Sequence, residues 1–260
     1  MIQISSSAND RVRRAVALQR NARRRFRTGL MVAEGRRLVG ELAKSAISPV
    51  DVFVTPDFCS TDPATSDLVE TLSARATVFE VTDDLMREMA GTVTPQGILA
   101  VVRIPDLPAP GHNRFILIPD QVRDPGNLGT MLRMAWAAGV TDVLLPPGTV
   151  DHTNPKVVRS GMGAHFRLPT HKASWDEIWQ TVGRAQVWLA EAHRGQAYDR
   201  VDWRGDVAIV IGGEAEGAGP ESRSRATCVQ IPMAAGVESL NAATATAVLL
   251  FEIARRRRPT

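Results

Sequence analysis

The chain has 260 residues of ordinary apolar content, 44%, enough to bury one large core or two modest ones. No apolar stretch is long enough to span a bilayer, and no apolar core of a signal peptide stands near the N-terminus. The expectation is therefore a cytoplasmic protein with no membrane partner. The net charge of +3 hides an asymmetry: residues 1–37 hold ten arginines against Asp10 and Glu34, a balance of +8 that leaves −5 for the rest. Such a basic end favours a polyanion as partner, with Arg11, Arg14, Arg23, Arg24 and Arg25 as candidate phosphate contacts. A solvated, arginine-rich helix face is the alternative. Cys59 and Cys228 are isolated, form no CxxC, and read as reduced thiols. The five histidines are scattered, so no metal site is expected.

In chain order, Val12, Ala15, Val16 and Leu18 recur among arginines and predict a basic amphipathic helix from Asn9 onward. Met31 to Gly35 reads as a short strand running into a helix through Leu42. Val50–Val54, Thr77–Val81 and Ile98–Val102 read as strands, and Thr82-Asp83-Asp84 caps a helix at Leu85–Met89. These elements make a small α/β domain. The proline-rich, aperiodic Ile104–Asn113 is a linker that divides the chain near residue 108, into 1–108 and 109–260. Beyond it, apolar strands at Phe115–Ile118, Val143–Leu145, Val187–Ala190, Val207–Ile211 and Cys228–Ile231 alternate with helices. The helices read as Asn127–Ala138, Pro155–Met162, Trp175–Val182 and Leu240–Arg255. That alternation predicts a parallel sheet covered on both faces, with ligands beyond the carboxyl ends of its strands.

Three segments at such strand ends carry candidate chemistry. Asp124-Pro125-Gly126-Asn127-Leu128-Gly129 forms a tight turn from a strand into a helix, and Arg133 follows on that helix. Asn127 can donate and accept, so it is placed to hold the turn or a ligand, or to cap the helix, and Arg133 to hold an anion or merely to sit on an exposed face. Ile211-Gly212-Gly213-Glu214-Ala215-Glu216-Gly217 lets a backbone approach a ligand closely. A phosphate loop is the rival there, but no Lys-Ser/Thr follows and the segment is acidic. Ile231-Pro232-Met233 and Glu238-Ser239-Leu240-Asn241 supply apolar walls and a helix start. Plain core for Ile231, Met233 and Leu240, and a helix cap for Ser239, are the bland readings.

Asn-x-Gly-x-x-x-Arg, then Ile-Gly-x-Glu-x-x-Gly, then Ile-Pro-Met with Ser-Leu-Asn, in this order, resembles the three motifs of the SpoU (TrmH) branch of the SPOUT RNA methyltransferases. The resemblance is strong from residue 115 onward and looser before 108. It implies an α/β fold whose parallel sheet ends in a C-terminal trefoil knot, preceded by a small α/β RNA-binding domain. It also implies S-adenosylmethionine as cofactor, a homodimer, and 2′-O-ribose methylation. Asn127, Arg133, Glu214, Ser239 and Asn241 match the family's catalytic positions. Gly212, Gly213, Ile231, Met233 and Leu240 match those that hold the cofactor. Asn154 to Ala164 resembles a further family segment near the RNA, with Gly161 where a serine is common, and makes Lys156 and Arg159 candidate phosphate contacts.

The function expected is S-adenosylmethionine-dependent methylation of structured RNA, with 23S ribosomal RNA favoured because tRNA-type members often lack a separate domain ahead of the knot. A tRNA 2′-O-methyltransferase and a non-catalytic RNA-binding or ribosome-assembly factor are the alternatives. Intact Arg133, Glu214, Ser239 and Asn241 weigh against the last.

Overall fold

A computed structural model of the chain describes Met1–Glu214 and Glu216–Arg258. The chain divides into two compact units. The first comprises Met1–Pro105 and Asp151–Phe166, the second Asp106–Val150 and the chain from Arg167 onward.

The first unit opens with strand β1 (Ile2–Ile4) and helix α1 (Asp10–Arg20). Asn9 caps α1 by accepting from the Arg11 N–H at 2.9 Å, and Val12, Ala15 and Leu18 form its buried stripe. The basic helix does not continue unbroken. Asn21 is extended, with φ −129° and ψ 108°, and its side chain caps a second helix, α2 (Ala22–Thr28). Gly29, left-handed at φ 62°, closes α2 and turns the chain into β2 (Leu30–Glu34). Helix α3 (Arg36–Ala43), β3 (Pro49–Val54), α4 (Pro56–Ser60), α5 (Pro63–Ser73), β4 (Thr77–Val81), α6 (Asp83–Met89) and β5 (Ile98–Arg103) follow.

The strands lie in the order β1-β4-β3-β5-β2. β4 runs parallel to β1 and β3, whereas β5 is antiparallel to β3 and β2. The period-2 alternation of side chains sends Met31, Ala33, Val52, Val54, Ala100 and Val102 into one core. Val32, Phe53, Leu99 and Val101 enter another, where they meet Val12, Ala15 and Leu18 of α1.

The second unit begins with β6 (Phe115–Asp120), α7 (Pro125–Ala138) and β7 (Asp142–Leu145). Asp151–Phe166, with helix α8 (Pro155–Gly161), then belongs to the first unit although it lies past the linker. Packing explains the assignment: Val158 and Phe166 are buried in the same core as Met31, Leu38 and Val52. The second unit resumes with β8 (Thr170–Lys172), α9 (Trp175–Val182), β9 (Gln186–Ala190), β10 (Gln196–Ala197) and β11 (Val207–Gly212). Helix α10 (Pro220–Arg225), β12 (Thr227–Gln230) and α11 (Ala242–Arg257) complete it.

Its sheet has the order β10-β12-β9-β11-β6-β7-β8, and every neighbouring pair is parallel. β6, β9 and β11, at its middle, contribute Ile116, Ile118, Leu189, Ala208 and Val210 to one buried cluster. The alternation of apolar strands and helices thus yields the parallel α/β sheet it predicts. Among the described residues no helix is long and apolar enough to cross a membrane.

Candidate active site

At the carboxyl ends of β9, β11 and β12 the second unit has a cleft of about 470 Å³. Its floor is the bare backbone of Gly212 and Gly213. A Cβ on Gly213 would overlap the Gln121 carbonyl, and one on Gly212 would lie 2.5 Å from the Ala218 nitrogen. Only glycine permits that closeness. The turn closes where Gly213 and Gly217 exchange backbone hydrogen bonds of 3.2 and 3.1 Å. Behind it, buried Asp120 accepts from the Gly219 N–H and the Ser222 hydroxyl, each at 2.7 Å, and so ties the end of β6 to the start of α10.

The cleft has an apolar side and a polar side. Ile231, Met233 and Leu240 line the first. On the second, Glu191 accepts from Arg223 Nη1 at 2.5 Å, and Arg223 Nε donates to the Ala218 carbonyl at 2.9 Å. Arg223 thereby fixes a carboxylate at the cleft wall. Glu214, Ser239 and Asn241 also line the cleft.

A hydrogen-bond relay joins the three segments read from the sequence. Asn127 Nδ2 donates to Glu214 Oε1, and Asn241 Nδ2 donates to Asn127 Oδ1 at 3.2 Å. The backbone positions each member. Asp124, not Asn127, caps α7, accepting from the Asn127 N–H at 2.8 Å and leaving the Asn127 side chain to the relay. Asn241, not Ser239, caps α11, its Oδ1 accepting from the N–H groups of Ala243 at 2.9 Å and Thr244 at 3.2 Å. The Asn241 amide therefore serves helix and relay at once.

Eight of the ten expected catalytic and cofactor residues line the cleft: Gly212, Gly213, Glu214, Ile231, Met233, Ser239, Leu240 and Asn241. Asn127 joins them through the relay. Arg133 does not line the cleft. It is exposed on α7 six residues beyond Asn127, about 9 Å along the axis at 1.5 Å per residue, and forms no hydrogen bond or ion pair among the described residues. On α11, Leu249 is buried in its own unit and Ala245 lines the cleft, while Phe251 is exposed. Of these three, only Phe251 is open to an outward surface.

The basic N-terminal residues divide into distinct groups. Arg25 corrects the expectation of a phosphate contact. It is buried, donating from Nη1 to the Leu18 carbonyl at 2.8 Å, from Nη2 to Asp151 at 2.8 Å and from Nε to Thr153 at 3.1 Å. Its three nitrogens hold the Asp151–Phe166 segment to α1 and α2. Arg11 and Arg14 are partly committed too, both pairing with buried Asp51. Arg23 is exposed and Arg24 half-buried. Arg159 is held at 3.3 Å from Glu34, beside Lys156 on the same helix.

Glu191, Arg223 and Ala218 line the cleft without having been singled out in the sequence. The one available signal was position: Glu191 directly follows a strand of the parallel sheet. Arg223 had none, because its helix is short and carries no recognisable pattern.

A parallel α/β sheet with its cleft at the strand carboxyl ends, floored by glycine and crossed by an amide–carboxylate relay, defines a ligand-binding domain of the doubly covered class. Comparison with known proteins makes the class specific. Residues 114–251 match the SpoU rRNA Methylase family, and residues 9–100 match the MRM3-like substrate binding domain. The chain belongs to the SpoU rRNA methylase family. It is 32% identical to the mouse (Mus musculus) mitochondrial rRNA methyltransferase 3 over 90% of this chain and 69% of the relative. It is 29% identical to the 23S rRNA (guanosine(2553)-2'-O)-methyltransferase RlmP of Bacillus subtilis, over 97% of this chain and 99% of the relative. The crystal structure of an AdoMet-bound rRNA methyltransferase from Sinorhizobium meliloti superposes with a TM-score of 0.85 at 26% identity, covering 99% of this chain and 98% of that one.

Proposed function

We propose that the chain is an S-adenosylmethionine-dependent enzyme that methylates a ribose 2′-hydroxyl of structured RNA, with 23S ribosomal RNA as substrate. The observation that carries this reading is the relay from Glu214 through Asn127 to Asn241, which gathers three distant segments at one cleft. Family membership and the rRNA methyltransferases to which the chain is similar along nearly all its length support it.

The cleft suits the cofactor. S-adenosylmethionine presents a flat purine, a cationic sulfur centre and an amino-acid tail. Ile231, Met233 and Leu240 would hold the purine, and the Gly212-Gly213 backbone would admit it at close range. Glu191, fixed by Arg223, would accept from hydroxyl or ammonium groups. When bound, the cofactor supplies an electrophilic methyl group.

The remaining chemistry belongs to the chain. A ribose hydroxyl is a very weak acid and must lose its proton as it attacks. A guanidinium is a donor with no acceptor site, so Arg133 does not act as the base. Its guanidinium, without a hydrogen bond or ion pair among the described residues, grips the neighbouring phosphate with two parallel hydrogen bonds and aligns the ribose. The proton passes to that phosphate or to a water beside it. Asn127 holds the Glu214 carboxylate, Asn241 holds Asn127, and the two present amide groups to the ribose.

This reading includes three further features: a trefoil knot formed by the segments around β11, β12 and α11, a homodimer, and a cytoplasmic location. The first unit carries RNA recognition. Titration calorimetry with S-adenosylmethionine tests the reading against a non-catalytic RNA-binding role. Saturable one-site binding, lost in Gly213→Ala, is expected; absence of binding would refute it.

A further inference from the structure

The first unit has its own cavity, of about 370 Å³, which the chemistry above does not use. Arg20 of α1, Arg25 of α2 and Lys156 and Arg159 of α8 line it, with Ala22 and Gly91 between them. Two carboxylates stand behind these four cations. Asp151 is bound to Arg25. Glu34 is buried and accepts from Gln19 Nε2 at 3.0 Å, from the Gly91 N–H at 2.8 Å, from the Thr92 hydroxyl and from Arg159 Nη1 at 3.3 Å. The lining itself carries these four cations and no carboxylate among the described residues.

Arg159 is set in place before any ligand arrives. Glu34 anchors one of its terminal nitrogens, and Gly91 lets the guanidinium lie against bare backbone, since a Cβ there would come within 2.8 Å of Nη1. A preorganised guanidinium loses little freedom on binding an anion. Arg20 is exposed and has no hydrogen bond or ion pair among the described residues. The chemistry is that of a phosphate site.

A second observation lies on the rim. Phe26 is 83% exposed, an unusual position for a phenyl ring. It follows Ala22 by four residues on α2, so the two are neighbours on one helix face. Arg23 and Arg27 flank it, both exposed. An exposed aromatic ring among cations offers a stacking surface to an unpaired base and repels no part of its backbone.

We infer that the cavity and Phe26 together dock an unpaired nucleotide of the RNA substrate, its phosphate held by Arg20, Lys156 and Arg159 and an adjoining base stacked on Phe26. The inference rests on the RNA-methylation reading. The cations line the cavity, and the Phe26 ring is not part of that lining. Phosphate and base are thus read by adjacent surfaces, as a polymer requires and a free mononucleotide does not.

The test uses the full-length protein and transcribed 23S rRNA of its source organism carrying 5-iodouridine. Filter binding across a salt series, methyl-transfer kinetics and photocrosslinking are measured for the wild type, Phe26→Ala, Phe26→Trp and Arg159→Gln. Phe26→Ala is expected to raise both Kd and KM about tenfold, and Phe26→Trp to restore them. Arg159→Gln is expected to reduce the slope of log affinity against log salt by about one contact. Crosslinks are expected on Phe26. Phe26 is exposed, so its truncation leaves the fold intact and the answer unambiguous. Wild-type Kd and KM in Phe26→Ala, with no crosslink on α2, would overturn the inference and leave the methylation reading standing. A wild-type protein that neither binds this RNA nor methylates it, yet retains a phosphoprotein, would overturn both.

Discussion

Asn241 donates a hydrogen bond of 3.2 Å to Asn127 across 114 residues of sequence, while its own Oδ1 caps the last helix. One amide thus couples the end of the chain to the turn after β6. Separating its two duties gives a first prediction. Asn241→Ala loses both, so stability should fall by about 1 kcal/mol and methyl transfer should drop at least tenfold. Asn241→Ser keeps a capping oxygen but is too short to reach Asn127. Its melting temperature should stay near wild type while its activity matches that of Asn241→Ala. Equal activity in Asn241→Ser and wild type would show that the Asn127 bond is incidental.

Arg133→Ala should leave both the melting temperature and the S-adenosylmethionine affinity near wild type, because the side chain is exposed and outside the cleft. Methyl transfer should fall roughly a hundredfold or more, the scale expected when a charge-stabilising donor is lost from a transition state. Arg133→Lys should recover little, since an ammonium cannot make the paired contact. Retention of half the wild-type turnover in Arg133→Ala would remove Arg133 from the mechanism.

Gly213→Ala should be the most damaging single-carbon change in the cleft. The added methyl meets the backbone carbonyl of Gln121, which cannot swing aside as a side chain would. An overpacking cost of about 1–3 kcal/mol is expected, with loss of cofactor binding by calorimetry. Gly111→Ala is the control, because a Cβ there meets nothing within 4 Å. Comparable damage from both changes would contradict the close-approach argument.

The end of α11 should respond to acid. The hydrogen bond from Arg255, joined by one from Arg256, holds the Glu252 carboxyl at about 2, below its ordinary 4.5. A lowered folded-state value means that this clamp stabilises the fold fully above about pH 4.5 and loses its effect as pH falls toward 2. The difference in melting temperature between wild type and Glu252→Gln should be constant from about pH 7 to 5 and shrink below that range. A constant difference down to pH 2 would rule the clamp out.

Much of the second unit is legible in the sequence because its strands are continuous apolar runs separated by amphipathic helices, a pattern with few structural solutions. The cleft is legible because Gly212-Gly213 and Ile231 fall at strand ends, where such sheets bind ligands, and Asn241 stands at the start of the last helix. The fate of Asp151–Phe166 is not. Its order along the chain places it after the linker, and only the burial of Val158 and Phe166 beside Met31 and Leu38 reveals its membership of the first unit. Arg25 misleads for a related reason: composition registers its charge but not that Leu18, Asp151 and Thr153 occupy its nitrogens. Helices α4 and α5 are missed although their signals are present. Pro63 at the first turn and a reciprocal cap between Asp62 and Thr65 mark the start of α5.

The most direct test of the central claim is transfer of a labelled methyl group from S-adenosylmethionine to protein-free 23S rRNA prepared from a strain lacking this gene, followed by nucleotide mapping. The account predicts stoichiometric label at a single nucleotide, resistant to alkaline cleavage on its 3′ side because the 2′-oxygen is methylated, and absent with Arg133→Ala. Label on a base, or none on rRNA with efficient label on tRNA, would contradict it.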